Sequence, residues 1–348
     1  MGTKQPEAEP TRSYWIGLLG GGLVALVLIM AGLGGLAWAE RLPAPPITKV
    51  EYLDEKLRFI RDNPGLDPTL MVVGSSVAWR QFDGEPFASR LGQGRVLNGA
   101  SGFLKVHQTR FLTHFYMDHF PHIQTVVLMF GPPDFENCTK VPAQLFDFDD
   151  ASGYAFDKEA AAPFYVRYFA PVTYLRRAMD YHERRAALTG DFWMDQYGSS
   201  PMQWTPAMMR GLRYSALHFD RACIDVLISL LTEIKVRGIR PVVVFSPIHP
   251  EYRRQYPEVH QRLKLVAEQI APRVRPGIDF FDFSKSDFAP DDFFDAVHLQ
   301  WSAVRTFSDI LAKLILPGTA AADTQPREAK SIANVTTSPA NSTNRLEP

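Results

Sequence analysis

The chain opens with one long apolar block, after which short apolar runs alternate with amphipathic stretches. From Trp15 to Ala39, 25 residues pass without a charge, with Lys4 and Arg12 before them and Glu40 and Arg41 after. As a helix this block would be about 37 Å long, more than the ~30 Å of a hydrocarbon core. A tilted transmembrane helix over 15–39, after an N-terminal tail 1–14, is the leading expectation. A cleaved signal peptide competes, because Ala37-Trp38-Ala39 has the small-x-small cleavage pattern. Signal peptides usually carry a shorter apolar region, which favours the anchor. Basic residues flank both sides, so the positive-inside rule does not orient the segment.

Residues 40–67 read as a linker and lead-in, with Leu42-Pro-Ala-Pro-Pro46 as a stiff extended joint leading away from a bilayer. The working domain is expected over 68–318. Strands are expected at Thr69–Val73, Arg95–Leu97, Thr125–Phe130, Pro241–Phe245 and Ile278–Phe283. Helices are expected near 104–119, 216–237, 257–270 and 299–315, with a weaker one near 76–91. Strands alternating with helices predict a five-stranded parallel sheet in a three-layer α/β sandwich. Working residues of such sheets sit beyond the carboxyl ends of the strands.

One segment, 132–215, is far longer than a usual strand-to-helix loop. Within 141–215, 15 of 75 residues are aromatic, a fifth against 12% overall. Pro171–Ala187 reads as a helix with proline in its first turn, and Arg176, Arg177, Arg184 and Arg185 are expected to form a basic face. The segment reads either as a satellite core with a solvated basic face or as a lid over a sugar. The tail 319–348 is low-complexity and reads as disordered, so its sequons at Asn334 and Asn341 carry little weight.

Composition narrows the function classes. Lys+Arg 37 against Asp+Glu 38 gives a net charge of −1, without the basic footprint of a nucleic-acid binder. Cys138 and Cys223 are the two cysteines; they exclude a disulfide-rich scaffold, and a pair between them stays open. His107, His114, His119 and His122 crowd one helix and its exit, but without metal-ligand spacing, so no metal site is expected there. His249 follows the fourth strand, where packing is favoured over substrate contact. No Gly-x-Ser-x-Gly elbow is present.

Chemistry collects at the strand ends. Gly74-Ser75-Ser76 follows the first strand, and a serine there has its hydroxyl at the working edge and its N–H at a helix start. Asp295-Ala-Val-His298 precedes the last helix, and two intervening residues let the carboxylate fix the imidazole's tautomer. Gly102 follows the second strand, and Gly131-Pro-Pro-Asp134 the third.

These four blocks, in this order over about 68–316, resemble the SGNH/GDSL hydrolase superfamily. The resemblance implies Ser76 as nucleophile, His298 as general base and Asp295 as its partner, with the N–H groups of Ser76 and Gly102 lining an oxyanion hole. It implies no cofactor. Ser75 stands in place of the first block's aspartate, as in branches that modify envelope polymers. Pro133 stands in place of the third block's asparagine and supplies neither a side-chain amide nor an N–H. Losing one oxyanion donor removes about 2.7–4 kcal/mol of transition-state stabilisation. Ser75 and Asn137 are the nearest replacement donors, and Asp134 is expected to bind a substrate hydroxyl or pin a loop.

An anchored member of this kind resembles alginate O-acetyltransferases and D-alanyl-lipoteichoic-acid transfer proteins. That likeness implies an inner-membrane, single-pass protein with its domain in the periplasm or outside. Its substrate would be an acylated or acyl-accepting envelope polysaccharide, and its partner a membrane-bound acyltransferase. A catalytically weak polysaccharide-binding subunit and a lipid or small-ester hydrolase are the alternatives.

Overall fold

The structure is a computed structural model that describes residues 12–39, 41–186, 193–201, 216, 218–274 and 277–317. The tail 319–348 and parts of the aromatic-rich segment (187–192, 202–215 and 217) lie outside the described residues. The first element, α1 (Arg12–Trp38), is one helix of 27 residues with none buried, long and apolar enough to cross a membrane.

Five strands form one all-parallel sheet: β1 (Leu70–Gly74), β2 (Val96–Asn98), β3 (Thr125–Phe130), β4 (Arg240–Phe245) and β5 (Asp279–Asp282), in the order β2-β1-β3-β4-β5. The central strands Leu-Met-Val-Val-Gly, Thr-Val-Val-Leu-Met-Phe and Arg-Pro-Val-Val-Val-Phe are almost unbroken apolar runs. That is the signature of strands buried on both faces. Pro241 is tolerated inside β4 because pairing with β5 begins one residue later, at Val242 opposite Asp279. Leu70 lies opposite both Val96 and Thr125, and Thr125 opposite Arg240. This register brings the carboxyl ends of all five strands to one edge.

Around the sheet, in chain order, are α2 (Glu51–Asp62), α3 (Ser76–Arg80), α4 (Glu85–Leu91), α5 (Val106–His119), α6 (Phe148–Ala155), α7 (Ala161–Arg167), α8 (Pro171–Ala186), α9 (Ala222–Val236), α10 (Pro250–Gln255), α11 (Pro257–Val274) and α12 (Trp301–Ile315). The single helix expected near 76–91 is two, parted at Gln81–Gly84.

The lead-in departs most from expectation. Residues 51–62 form α2, whose Leu53, Leu57 and Ile60 are buried. The proline joint is not free either. The Ala44 N–H donates to Glu55 at 2.8 Å, the Tyr165 hydroxyl donates to the Pro43 carbonyl at 2.5 Å, and Arg58 donates to the Leu42 carbonyl at 2.6 Å. Pro43, Ala44 and Pro45 are buried, so the chain leaving α1 is bonded to the domain at once.

Many aromatics of the long segment complete the main core. Phe146, Phe148 and Phe156 pack on Phe115 of α5, with ring centroids 4.8–5.6 Å apart. The expected basic face of α8 is also corrected: Arg177 points inward, 3.0 Å from Asp54 and 3.2 Å from Glu51 of α2, while Arg176 is exposed. The side chains of Arg184 and Arg185 lie outside the described residues. Cys138 and Cys223 form a disulfide, joining the loop after β3 to the start of α9.

Candidate active site

Ser76 is delivered by a sharp exit from β1. A Cβ on Gly74 would lie 2.3 Å from the Met129 carbonyl oxygen and 2.7 Å from the Ala78 side chain, so only glycine lets the chain turn here against β3. Ser75 then caps α3: its hydroxyl accepts from the Val77 N–H at 3.3 Å and donates to the buried Asp134 carboxylate. Ser76 follows as the first residue of α3.

The opposing loop is a tight hairpin closed by an antiparallel bridge between Phe293 and Leu299. Within it, one oxygen of Asp295 accepts from the Val297 and His298 N–H groups, both at 2.8 Å. The other oxygen lies 2.7 Å from His298 Nδ1. His298 Nε2 lies 3.0 Å from the Ser76 hydroxyl. The carboxylate places the proton on Nδ1 and leaves Nε2 to accept from Ser76. Burial raises the Asp295 carboxyl, but the imidazole and the two N–H donors more than offset it and bring it down to about 2. Asp295 is thus an anion throughout the neutral range.

Two buried side chains hold this loop in register with Ser76. Gln81, fully buried one turn beyond Ser76, donates to the Val297 carbonyl at 2.7 Å and accepts from the Leu299 N–H at 3.2 Å. Its amide therefore grips the backbone on either side of His298. Four residues beyond β4, the backbone N–H of His249 donates to the Ala296 carbonyl at 3.0 Å, while its side-chain ring packs on Phe293. His249 also caps α10 through its Nδ1.

Gly102 lies beyond β2, where a Cβ would come within 2.6 Å of the Tyr52 ring. The next residue, Phe103, has φ +62 and is 74% exposed, with its ring 5.8 Å from Tyr52. A left-handed backbone at a bulky residue is strained, and such strain concentrates at functional positions.

On the remaining side, Asp134 accepts from the Gly131 N–H at 2.8 Å and closes its own turn. Burial pushes its carboxyl up to about 6, against the pull of the Ser75 hydroxyl, the Gly131 N–H and the charges of Lys105 and His298. Lys105 donates to the Pro133 carbonyl at 2.6 Å and lies 3.7 Å from Glu136. A cation thus stands beside the residue that lacks a donor of its own. Asn137 occupies a left-handed turn (φ +58), its carbonyl accepting from the Lys140 and Val141 N–H groups. Ser76, Asp295 and His298 are brought together, with Ser75 and Asp134 joined behind them.

Sequence reasoning did not single out Tyr52, Gln81, Phe103 or Lys105. The Leu53, Leu57 and Ile60 spacing would have exposed α2 and hence Tyr52; a positive φ at Phe103 leaves no trace in sequence. The four crowded histidines disperse: His107 bonds the Val141 carbonyl, His114 Glu233, His119 the Phe115 carbonyl and His122 Asp67. No protein-family model matches the chain, and no curated protein matches it significantly.

Proposed function

We propose that this protein is a membrane-anchored serine O-acyltransferase or esterase of the SGNH type, acting on an exported or cell-envelope polysaccharide. The observation that carries the reading is the relay from Ser76 through His298 to Asp295, with its 3.0 Å and 2.7 Å contacts. The order of the sequence blocks supports it, as does the 2-1-3-4-5 strand order, which suits a flavodoxin-like three-layer sandwich. The apolar α1 and the Cys138–Cys223 bond fit a single-pass protein whose domain faces an oxidising compartment such as the periplasm.

In this mechanism His298 Nε2 takes the Ser76 proton as Oγ attacks the acyl carbonyl. The tetrahedral oxyanion is met by the N–H groups of Ser76 and Gly102. His298 returns the proton to the departing oxygen, leaving acyl-Ser76. A sugar hydroxyl or water then attacks by the reverse path, with His298 again taking and returning one proton. The chemistry requires no cofactor. The Ser75 hydroxyl is committed to Val77 and Asp134 and the Lys105 ammonium to the Pro133 carbonyl and Glu136, so in this reading Lys105 substitutes for the donor missing at Pro133 through its nearby positive charge and not by a bond of its own. Tyr52 and Phe103 offer an aromatic wall for a sugar face. In the transferase form of this reading, the acyl group reaches Ser76 from a membrane-bound acyltransferase partner, whose carrier departs as the leaving group.

The same proline favours a second reading, a polysaccharide-binding subunit with weak turnover. A fluorophosphonate probe separates the two, with adduct on Ser76 expected for the enzyme and none for the binder. Ser76→Ala is expected to lower p-nitrophenyl acetate hydrolysis by on the order of a millionfold. An unchanged rate removes the proposal, and release of fatty acid from lipid esters would mark a lipid or small-ester hydrolase.

A further inference from the structure

Among the described residues of the domain, five of the nine exposed large apolar side chains fall within one short stretch. Val166, Phe169, Val172, Leu175 and Met179, on α7, α8 and the short turn between them, are 44–80% exposed. On α8 the spacing 172, 175, 179 puts three of them on one stripe. The opposite side of that helix is firmly docked. Tyr174 and Ala178 are buried, the Tyr174 hydroxyl donates to the Tyr165 and Tyr168 carbonyls at 3.2 and 3.0 Å, and Arg177 is clasped by Glu51 and Asp54. Packing therefore fixes which face of α8 turns outward.

The tether tells what covers this stripe. Tyr165, on α7 itself, holds the Pro43 carbonyl, five residues after the end of α1 at Trp38. Five residues reach at most about 17 Å even when fully extended. A domain of this length is on the order of 40–50 Å across. The α7 end of the domain must then stay close to where α1 emerges, whatever angle α1 takes. Trp38, 90% exposed at that point, is a residue type that settles at membrane interfaces. The nearby arginines add little: Arg167 is paired with Asp150, and Arg176 lies 3.7 Å from Glu51. The attraction is apolar more than electrostatic.

We propose that the α7–α8 stripe lies in the boundary between headgroups and acyl chains of the same bilayer that α1 crosses, as an interfacial second attachment. The inference rests on the anchor reading of α1. It fixes the domain's attitude: α8 touches lipid and, through Arg177, supports α2, whose Tyr52 borders Gly102. The proposed acyl site is thus held at a set height and tilt over the membrane.

The test uses the full chain in phosphatidylcholine/phosphatidylglycerol vesicles. Cys138 and Cys223 are bonded to each other, so single added cysteines carry a nitroxide label cleanly. Labels at Val172→Cys, Leu175→Cys and Met179→Cys are compared with Leu23→Cys in α1 and Lys264→Cys on α11 as lipid and water references. Collision with oxygen relative to a water-soluble nickel chelate reports depth. At 172, 175 and 179 the oxygen-to-nickel ratio is expected to exceed the Lys264 value several-fold and approach that of Leu23. Water-like ratios at all three with Leu23 in lipid overturn the docking and leave the anchor standing. A water-like Leu23 overturns both. Dipolar broadening between labels at Leu175 overturns it in favour of contact between two copies, and immobilisation without lipid exposure in favour of a protein partner.

Discussion

Gln81 shows how little of the proposed catalytic arrangement need consist of reacting groups. One carboxamide holds Val297 and Leu299, the neighbours of His298, from the turn that ends Ser76's own helix. Gln81→Leu strands a buried carbonyl and a buried N–H, which should destabilise the fold by about 1–3 kcal/mol per group. A displacement near 1 Å at the relay should lower kcat by about 100-fold while KM moves little, measured on p-nitrophenyl acetate. A KM effect alone would argue against a positioning role. Phe103 makes the opposite case. Phe103→Gly frees a left-handed backbone and should raise the unfolding midpoint by the equivalent of about 1 kcal/mol. The same change should raise KM for a polysaccharide acceptor, because the exposed ring beside Tyr52 is gone. Loss of stability instead would show that the ring is held for packing.

Among the elements the strands were the most legible, all five lying within a residue of their expected bounds at each end. The unbroken apolar runs announced β1, β3 and β4 within a residue at each end, because a strand covered on both faces has little room for polar side chains. The Asp295-x-x-His298 block stood out in sequence because the proposed relay demands particular residue types at a fixed spacing. α2 was hidden behind its prolines and its charges: Lys56 and Asp54 look like solvent-facing residues, yet both are buried. Lys56 donates to the Asn98 carbonyl at 2.7 Å and to the Gly198 carbonyl, with Asp195 the opposing charge. These partners lie 42 and 142 residues away, beyond the reach of any local pattern. Burial pushes the Lys56 ammonium from the ordinary 10.5 down to about 7. Between those values the unfolded chain holds a proton that the folded chain has released. The stability contributed by this amine is therefore largest above pH 10 and falls away as pH drops towards 7. Lys56→Met leaves the buried Asn98 and Gly198 carbonyls without this donor and should lower stability by about 1–3 kcal/mol per group. Relative to that variant, the wild-type urea midpoint should climb between pH 7 and 9; parallel curves would mean that Lys56 does not titrate there.

Across the whole molecule, the long segment after β3 is less an appendage than a second wrapping of the core. Phe146, Phe148 and Phe156 fill α5's outer face, Tyr165 holds the exit from α1, and Arg177 braces α2. Its aromatic excess was visible in sequence, but composition could not say whether rings face a sugar or a core; only the partners on α5 decide that. The Cys138–Cys223 bond spans 85 residues and encloses α6, α7 and α8. By chain entropy a closure of that length stabilises by roughly 4–5 kcal/mol. It also has a topological consequence. A protease that cuts once between residues 139 and 222 severs the polypeptide without releasing either half. The nicked protein should migrate as one band on a non-reducing gel and as two after dithiothreitol, the signature of a chain worn as a closed ring.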